Sequence, residues 1–342
     1  MTSTKNRSAS VTAKWATTHP KLQVEYRTDL GVSIVDRSEV FLSSAAGKDL
    51  NGKVQLVLTS PPYPLNRKKK YGNETGEAFK IWLEGYAVLL RDLLTGNGSI
   101  VIEMGNAWVP GQPVMSTLAI ESLLAFKKAA DLHLCQEFVW YNNARLPTPA
   151  QWVTIDRVRV KDAFTRIWWL SPSPTPKADN RRVLVPYSQS MNRLLEKRRY
   201  NAGRRPSEHV IGQESFLKNN GGAIPPNVLG YAPALPENFI VGSNTESSDP
   251  YHKYCKAEGL VPHPARMPLG LAAFFVRLCT EPGDVVFDPF GGSNTTGAAA
   301  EANGCHWITV EANRGYAAAG RGRFPQRFPL KDGHTSDRRA KR

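Results

Sequence analysis

The chain has 342 residues, with 44 Lys/Arg against 30 Asp/Glu and a formal charge of +14. That length allows one large α/β core plus a smaller appendage, and the positive excess suits a polyanionic partner, nucleic acid above all. No apolar run approaches the roughly 20 residues of a membrane span, residues 1–20 lack a secretory apolar region, and Cys135, Cys255, Cys279 and Cys305 form neither a CxxC pair nor a Cys/His cluster, so no membrane, metal or disulfide role is expected and a reduced, cytosolic setting fits.

Residues 1–20 read as a polar, flexible arm. An extended segment over 31–35 (GVSIV) ends at Asp36, and 37–44 reads as a helix. The apolar run at 54–59 (VQLVLT) reads as a buried parallel strand. It is stopped by Pro61 and Pro62, neither of which can donate to a sheet ladder. Thr59-Ser60-Pro61-Pro62-Tyr63 is therefore a stiff turn with a hydroxyl, fixed carbonyls and one aromatic ring. That inventory suits a flat ring bearing an amine: the carbonyls accept its N–H groups and Tyr63 stacks on its face. The same residues also make an ordinary strand-ending turn, and both readings stand at this point. The loop beyond carries Arg67, Lys68, Lys69 and Lys70.

Apolar residues at helical spacing predict an amphipathic helix over 78–94, broken by Gly96 and Gly98. A strand over 99–102 then ends at Glu103. A helix over 113–130 and strands over 138–141 and 166–170 follow. Composition shifts after Ser171: residues 172–262 are rich in Pro, Asn, Gly and Arg, with ten Lys/Arg against four Asp/Glu within 177–218. Regular alternation resumes with a helix over 268–279, a strand over 285–287, a helix after Thr296 and a strand over 307–310. The tail, 331–342, is basic and reads as disordered.

The strand VVF delivers Asp288, Pro289, Phe290, Gly291, Gly292 and Ser293, followed by an Ala-rich helix. Glycines let the backbone approach a ligand closely, and a helix N-terminus offers free N–H groups. Glu311 follows at the end of the next strand, at the distance where nucleotide-binding folds hold ribose hydroxyls. The pattern is not GxGxxG, and an acid precedes the turn. That arrangement disfavours a pyrophosphate and favours a cationic ligand such as S-adenosylmethionine; a glycine turn built only for tight packing has the same residues.

Together, TSPPY upstream and DPFGGSNTTG downstream resemble the permuted, beta-type S-adenosylmethionine-dependent DNA amino-methyltransferases. HPARMP (263–268) stands where that group has its pre-helix motif. The stretches TSPPYPLNRKKKYGN, RVKDAFTRIWWLS, NNGGAIPPN and FGGSNTTG are similar to cytosine-N4 members, over roughly residues 30–325. The resemblance implies a Rossmann-like α/β methyltransferase fold: a mostly parallel seven-stranded sheet flanked by helices, in circularly permuted order, with an inserted target-recognition region. The corresponding division is a flexible arm (1–20), a catalytic half (21–171), a target-recognition region (172–262), a cofactor-binding half (263–330) and the tail.

The implied activity is site-specific methylation of duplex DNA at cosubstrate S-adenosylmethionine's expense. The SPPY form points to cytosine N4; adenine N6 is the alternative, and a DNA-binding regulator without activity is an alternative of another class. RNA methylation is a third. The implied setting is a restriction–modification system in a prokaryotic or phage-infected cytoplasm, with a cognate restriction endonuclease as functional partner without a stable complex. Ser60 Oγ and the Pro61 carbonyl are the expected acceptors for the amine, Pro62 stiffens the turn, and Tyr63 stacks on the base. Glu103 is expected to hydrogen-bond Ser60 or the amine and to help remove its proton, although a capping acid stands as a rival reading. Asp288, Phe290, Gly291, Gly292, Ser293, Glu311, Asp36, His263 and Arg266 are expected at the cofactor. Arg67 to Lys70, Arg181, Arg182, Arg198, Arg199, Arg204 and Arg205 are expected on DNA, some at guanine edges and others at phosphates.

Overall fold

Period-two burial along the central strands builds two apolar faces. Val57, Ile100, Ile102, Phe287, Ile308 and Val310 enter one core. Their neighbours Leu56, Leu58, Val101, Val286 and Trp307 enter the other. A sheet apolar on both sides requires helices on both sides.

The computed structural model describes residues 11–63, 76–200, 203–212, 214–230 and 249–328. Within them the strands are β1 (Val24–Arg27), β2 (Gly31–Val35), β3 (Val54–Thr59), β4 (Leu94–Met104), β5 (Ala107–Trp108), β6 (Met115–Ser116), β7 (His133–Tyr141), β8 (Phe164–Ser171), β9 (Gly203–Arg204), β10 (Val210–Ile211), β11 (Val228–Leu229), β12 (Val285–Asp288) and β13 (His306–Glu311). The α-helices are α1 (Val11–Thr18), α2 (Ser38–Ser43), α3 (Ala45–Lys48), α4 (Gly76–Leu93), α5 (Leu118–Ala129), α6 (Gln189–Lys197), α7 (Pro250–Ala257), α8 (Leu269–Cys279), α9 (Thr295–Ala302) and α10 (Arg314–Ala319).

One sheet runs β1-β2-β13-β12-β3-β4-β8-β7-β11. β2, β13, β12, β3 and β4 are parallel. β8 runs against β4, and β7 runs against β8, so β7 points the same way as β4. The seven strands from β2 to β7 are the mostly parallel sheet expected from the sequence, and β1 and the two-residue β11 extend its edges. Helices α1, α2, α4 and α5 cover one face, and α8 and α9 the other. On α4 the buried residues Phe79, Leu83, Tyr86, Ala87, Leu90 and Leu93 form a single stripe at helical spacing. Gly31 lies opposite Trp307 across the β2–β13 ladder. A Cβ there would enter the indole ring, so only glycine lets Trp307 lie flat on the strand.

Several expected boundaries move. The flexible arm is corrected over Val11–Thr18, which forms α1; Thr12, Trp15 and Ala16 recur at helical spacing and are buried. Residues 1–10 and the tail at 331–342 lie outside the described residues. The helix expected over 37–44 breaks at Ser44, whose backbone is extended and whose side chain caps α3 through Gly47 N. β4 begins at Leu94, directly after α4, because Leu94 already pairs with Val54. α5 begins at Leu118 rather than 113, since Met115 and Ser116 pair with Trp108 and Ala107.

The insert also contracts. Residues 172–183 pack on the core: Lys177 N donates to Asn97 O (2.9 Å), Asp179 N donates to Leu278 O (2.9 Å), and Val183 is buried. At the other end, α7 belongs to the second half of the core. Its Tyr251 and Cys255 are fully buried and cluster with Ala319. No helix among the described residues is long and apolar enough to cross a membrane.

Trp15 meets Phe41 edge-on at 6.2 Å and is 8% exposed. Trp15→Ala should therefore cost about 3 kcal/mol in urea unfolding. Trp15→Phe should cost much less, because the indole N–H has no partner among the described residues. A Trp15→Ala variant as stable as the parent would mean that α1 does not dock in solution.

Candidate active site

Parallel sheets present functional groups at the carboxyl ends of their strands. Four neighbouring strands do so together here. β13 ends in Glu311, β12 ends in Asp288 and runs into the glycine turn, β3 runs into Ser60 to Tyr63, and Glu103 lies one residue from the end of β4. These residues line one cleft of about 430 Å3, with Phe290, Gly291, Gly292, Ser293, His263 and Arg266.

Asp288 is 4% exposed. Its Oδ1 accepts from Thr59 Oγ1 at 2.7 Å and from Phe290 N at 3.0 Å; its Oδ2 accepts from Thr296 Oγ1 at 2.7 Å. Burial pushes this carboxyl above its ordinary range, and the three donors oppose the push. Glu311 Oε2 accepts from Gly292 N at 2.9 Å, and Oε1 accepts from Asn313 N at 2.8 Å. Each oxygen thus keeps a lone pair for the cleft. Burial raises this carboxyl too.

Gly292 has φ +50, and a Cβ there would sit 3.4 Å from the His263 ring. That ring stands edge-on to Tyr316 at 4.6 Å. Asn294 then caps α9 by accepting from Gly297 N at 3.0 Å, while its amide donates to Tyr26 Oη at 2.6 Å. Behind the turn, Asp249 Oδ2 holds two guanidinium groups, Arg323 at 3.3 Å and Arg266 at 3.6 Å. Arg323 also donates to Ser293 Oγ at 3.3 Å.

Phe290 does not face the cleft alone. Trp82 lies 5.5 Å from it and Tyr86 5.3 Å, and Tyr86 Oη donates to Glu39 Oε2 at 2.7 Å. Trp82, Tyr86 and Glu39 were not anticipated from the sequence. The signal was present in AFKIWLEGY: two aromatic residues four apart share one helix face. Asp36 adjoins the cleft wall without lining it: its N donates to Glu311 O at 3.2 Å, and its Oδ1 accepts from Arg37 N at 2.8 Å. The lining residues of this segment are Arg37, Ser38 and Glu39.

Glu103 is 4% exposed, and the hydroxyls of Tyr63 and Ser60 both reach its carboxylate. Ser60 Oγ also lies 3.3 Å from Tyr63 Oη. Burial raises the Glu103 pKa to about 6; the two hydroxyls and the charge of Arg145 limit the rise. The ring of Tyr63 rests on Gly105, where a Cβ would come within 2.6 Å of it. Gly105 was also missed, because nothing in MGNAW marks it as a seat for a ring.

The basic residues separate into groups. Arg67 to Lys70 lie outside the described residues. Arg181 and Arg182 are corrected: they sit at the amino ends of the parallel strands, on the sheet edge opposite the cleft. Arg181 pairs with Asp179 at 2.7 Å, and Arg182 with Glu281 at 3.1 Å and Leu278 O at 3.2 Å. Arg182 holds 172–183 on the core, whereas Arg181 is exposed and pairs within the segment. Arg198 and Arg199 are exposed after α6, a helix that buries no residue. Arg204 is exposed beside Glu208, and Arg205 lies over the Tyr200 ring.

Residues 54–321 match the family model described as DNA methylase. The type II methyltransferase M.PvuII of Proteus hauseri is 41% identical over 273 residues, 79% of this chain and 78% of that protein. A solved structure of PvuII DNA methyltransferase (cytosine-N4-specific) superposes with a TM-score of 0.68 at 33% identity, covering 89% of each chain. The DNA adenine methyltransferase YhdJ of Escherichia coli (strain K12) is 43% identical over only 58 residues, 17% of this chain and 20% of that one.

The raised pKa of Glu103 has a measurable sign. The folded protein holds this proton to about pH 6, whereas an unfolded glutamate releases it near 4.5. The folded state binds more protons within that window, so stability falls as pH rises through it. Glu103→Gln removes the dependence. Its stability relative to the parent should improve by about 2 kcal/mol between about pH 4 and about pH 8, measured by urea unfolding. A difference that does not change with pH would place the titration elsewhere.

Proposed function

This chain belongs to the DNA methylase family, and we propose that it methylates the exocyclic N4 amine of cytosine within a specific duplex sequence. The observation that carries the reading is the Ser60–Tyr63–Glu103 cluster, which opens into the same cleft as the Asp288–Ser293 turn and Glu311. A regulator with no activity would not need a buried carboxyl tuned to about 6 beside two hydroxyls. The serine at the head of SPPY and the cytosine-N4 specificity in the name of the 33%-identical structure favour cytosine over adenine.

The cleft fits S-adenosylmethionine. Trp82, Tyr86 and Phe290 offer ring faces and edges to an adenine, and Glu311 keeps one lone pair per oxygen for a ribose diol. Asp288 and the glycine turn suit the ammonium of an amino acid, and Arg266 suits its carboxylate. When bound, this group supplies an electrophilic methyl carried on a sulfonium.

The chain's own residues address the nucleophile. An arylamine nitrogen is a poor nucleophile, because its lone pair is delocalised into the ring. Ser60 Oγ and the Pro61 carbonyl accept its hydrogens and draw it toward tetrahedral geometry. Glu103, ionised above about pH 6, takes the proton that the nitrogen loses once its new N–C bond has formed. Holding the reactants in line supplies much of the rate. The base must leave the duplex, at a cost of a few kcal/mol; Tyr63 stacks on it and returns roughly 1–3 kcal/mol. Arg198, Arg199, Arg204 and Arg205 contact phosphates and guanine edges. A cognate restriction endonuclease acts on the same sequence without a stable complex, and the reaction takes place in the cytoplasm.

Nucleosides from DNA treated with the protein and S-adenosylmethionine should contain N4-methylcytosine by mass spectrometry; N6-methyladenine alone would sink the cytosine assignment. Ser60→Ala and Glu103→Gln should each lower kcat by about 10²–10⁴ with little change in cofactor affinity by calorimetry. The parent's kcat should fall as pH drops through about 6, and Glu103→Gln should lose that limb.

A further inference from the structure

One wall of the cleft is built from Trp140 and Arg145, neither of which belongs to TSPPY or to the glycine turn. β7 runs parallel to β4, so its carboxyl end reaches the same edge as Ser60 and Glu103. Arg145 follows that end by four residues. Its side chain is held in place: Nη1 donates to Asp162 Oδ2 at 3.2 Å and to Phe164 O at 2.9 Å, and Nη2 donates to Thr165 Oγ1. Asp162 is itself held by Asn106 Nδ2 at 3.0 Å.

A guanidinium has five N–H groups. Three are used by these bonds, which leaves Nε–H and one Nη2–H for the cleft that the residue lines. The side chain remains 26% exposed. It lines the same cleft as Ser60, Tyr63 and Glu103, and its charge favours the ionised form of Glu103.

The Watson–Crick edge of cytosine reads donor, acceptor, acceptor: the N4 hydrogens, N3 and O2. Ser60 and the Pro61 carbonyl match the first position, and two adjacent N–H groups of one guanidinium match the other two. Adenine offers N6 hydrogens and N1 but a C–H in the third position, so one buried N–H would be left unpaired. Resting on the cytosine reading above, we infer that Arg145 is the specificity-determining residue for the base: it donates to N3 and O2 of the extruded cytosine, so that this wall presents the hydrogen-bonding pattern of guanine. The carboxylate and hydroxyl side of the site handles the amine, which both bases possess; Arg145 tells them apart.

The test uses the duplex sequence that the protein modifies, with cytosine, 2-thiocytosine or adenine at the target position, and single-turnover rates for the parent and Arg145→Met. Sulfur at position 2 is a weak acceptor. The parent should prefer cytosine over both analogues by tenfold or more, and Arg145→Met should reduce both preferences toward one, since a site built to pair a polar group rejects analogues that lack it. A uniform loss of rate with unchanged preferences would overturn the inference, because it would mean that Arg145 serves only the fold or the charge of Glu103. If Arg145→Met fails to fold, Arg145→Lys keeps the stem and charge but not the fork, and the same ratios decide. No parental discrimination between cytosine and 2-thiocytosine also overturns it. A parent that modifies adenine in preference to cytosine would instead defeat the cytosine reading on which it rests.

Discussion

A single buried carboxylate joins the two halves of this site. Asp288 accepts from Thr59 and from Thr296, and the first of those bonds spans 229 residues of sequence. Thr59 is the last residue of β3, immediately before Ser60, and Asp288 is the last residue of β12, immediately before the glycine turn. The bond therefore fixes the amine-binding turn relative to the cofactor turn at the point where both leave the sheet. A hydrogen bond to a charged group contributes about 1.5–3 kcal/mol, and losing one partner leaves the buried charge uncompensated. Stability and alignment at this point rest on the same atoms.

Chain order matters little to that geometry. The two motifs lie in opposite halves of the sequence, yet β3 and β12 are hydrogen-bonded neighbours in the middle of the sheet. Among the described residues, the long excursion between them leaves from β8 and adds one strand to the sheet, β11, on the far edge. A region selected for reading DNA can therefore change without disturbing the central strands. The contraction of the insert follows the same logic. Segment 172–183 is pinned by Lys177 to Asp284 and by Arg182 to Glu281, and α7 is pinned through Asp249 to Arg266 and Arg323.

Strands with continuous apolar runs were legible in the sequence, as was the turn chemistry that ends them. TSPPY, DPFGGS and Glu311 were found because proline, glycine and an isolated acid at a strand end are local signals. The residues that were missed carry no local signal. Trp82 and Tyr86 read as ordinary helix stripe until Phe290 arrives from 204 or more residues away to complete the aromatic wall. Arg145 reads as one more loop cation until Asp162, Phe164 and Thr165 hold it from the next strand. Arg182 erred in the other direction: an arginine in a basic region resembles a nucleic-acid contact, and only the fold reveals that its partners, Glu281 and Leu278 O, lie on the core.

The distribution of charge separates the two molecules the site must handle. The chain as a whole carries +14, which draws a polyanion to its surface at long range. The cleft has the opposite balance, with Glu39, Glu103, Asp288 and Glu311 against Arg37, Arg145 and Arg266. Of these acids, Glu103, Asp288 and Glu311 are raised by burial, and Glu311 is raised further by Asp288. A phosphate entering this space would meet buried carboxylates and lose its hydration. A cation would relieve their repulsion, and an uncharged base would avoid the charge repulsion that a phosphate meets. That balance favours a cationic donor and an uncharged base over a phosphate inside the cleft. This division follows from placing acids at the carboxyl ends of buried strands in a protein whose exterior is basic.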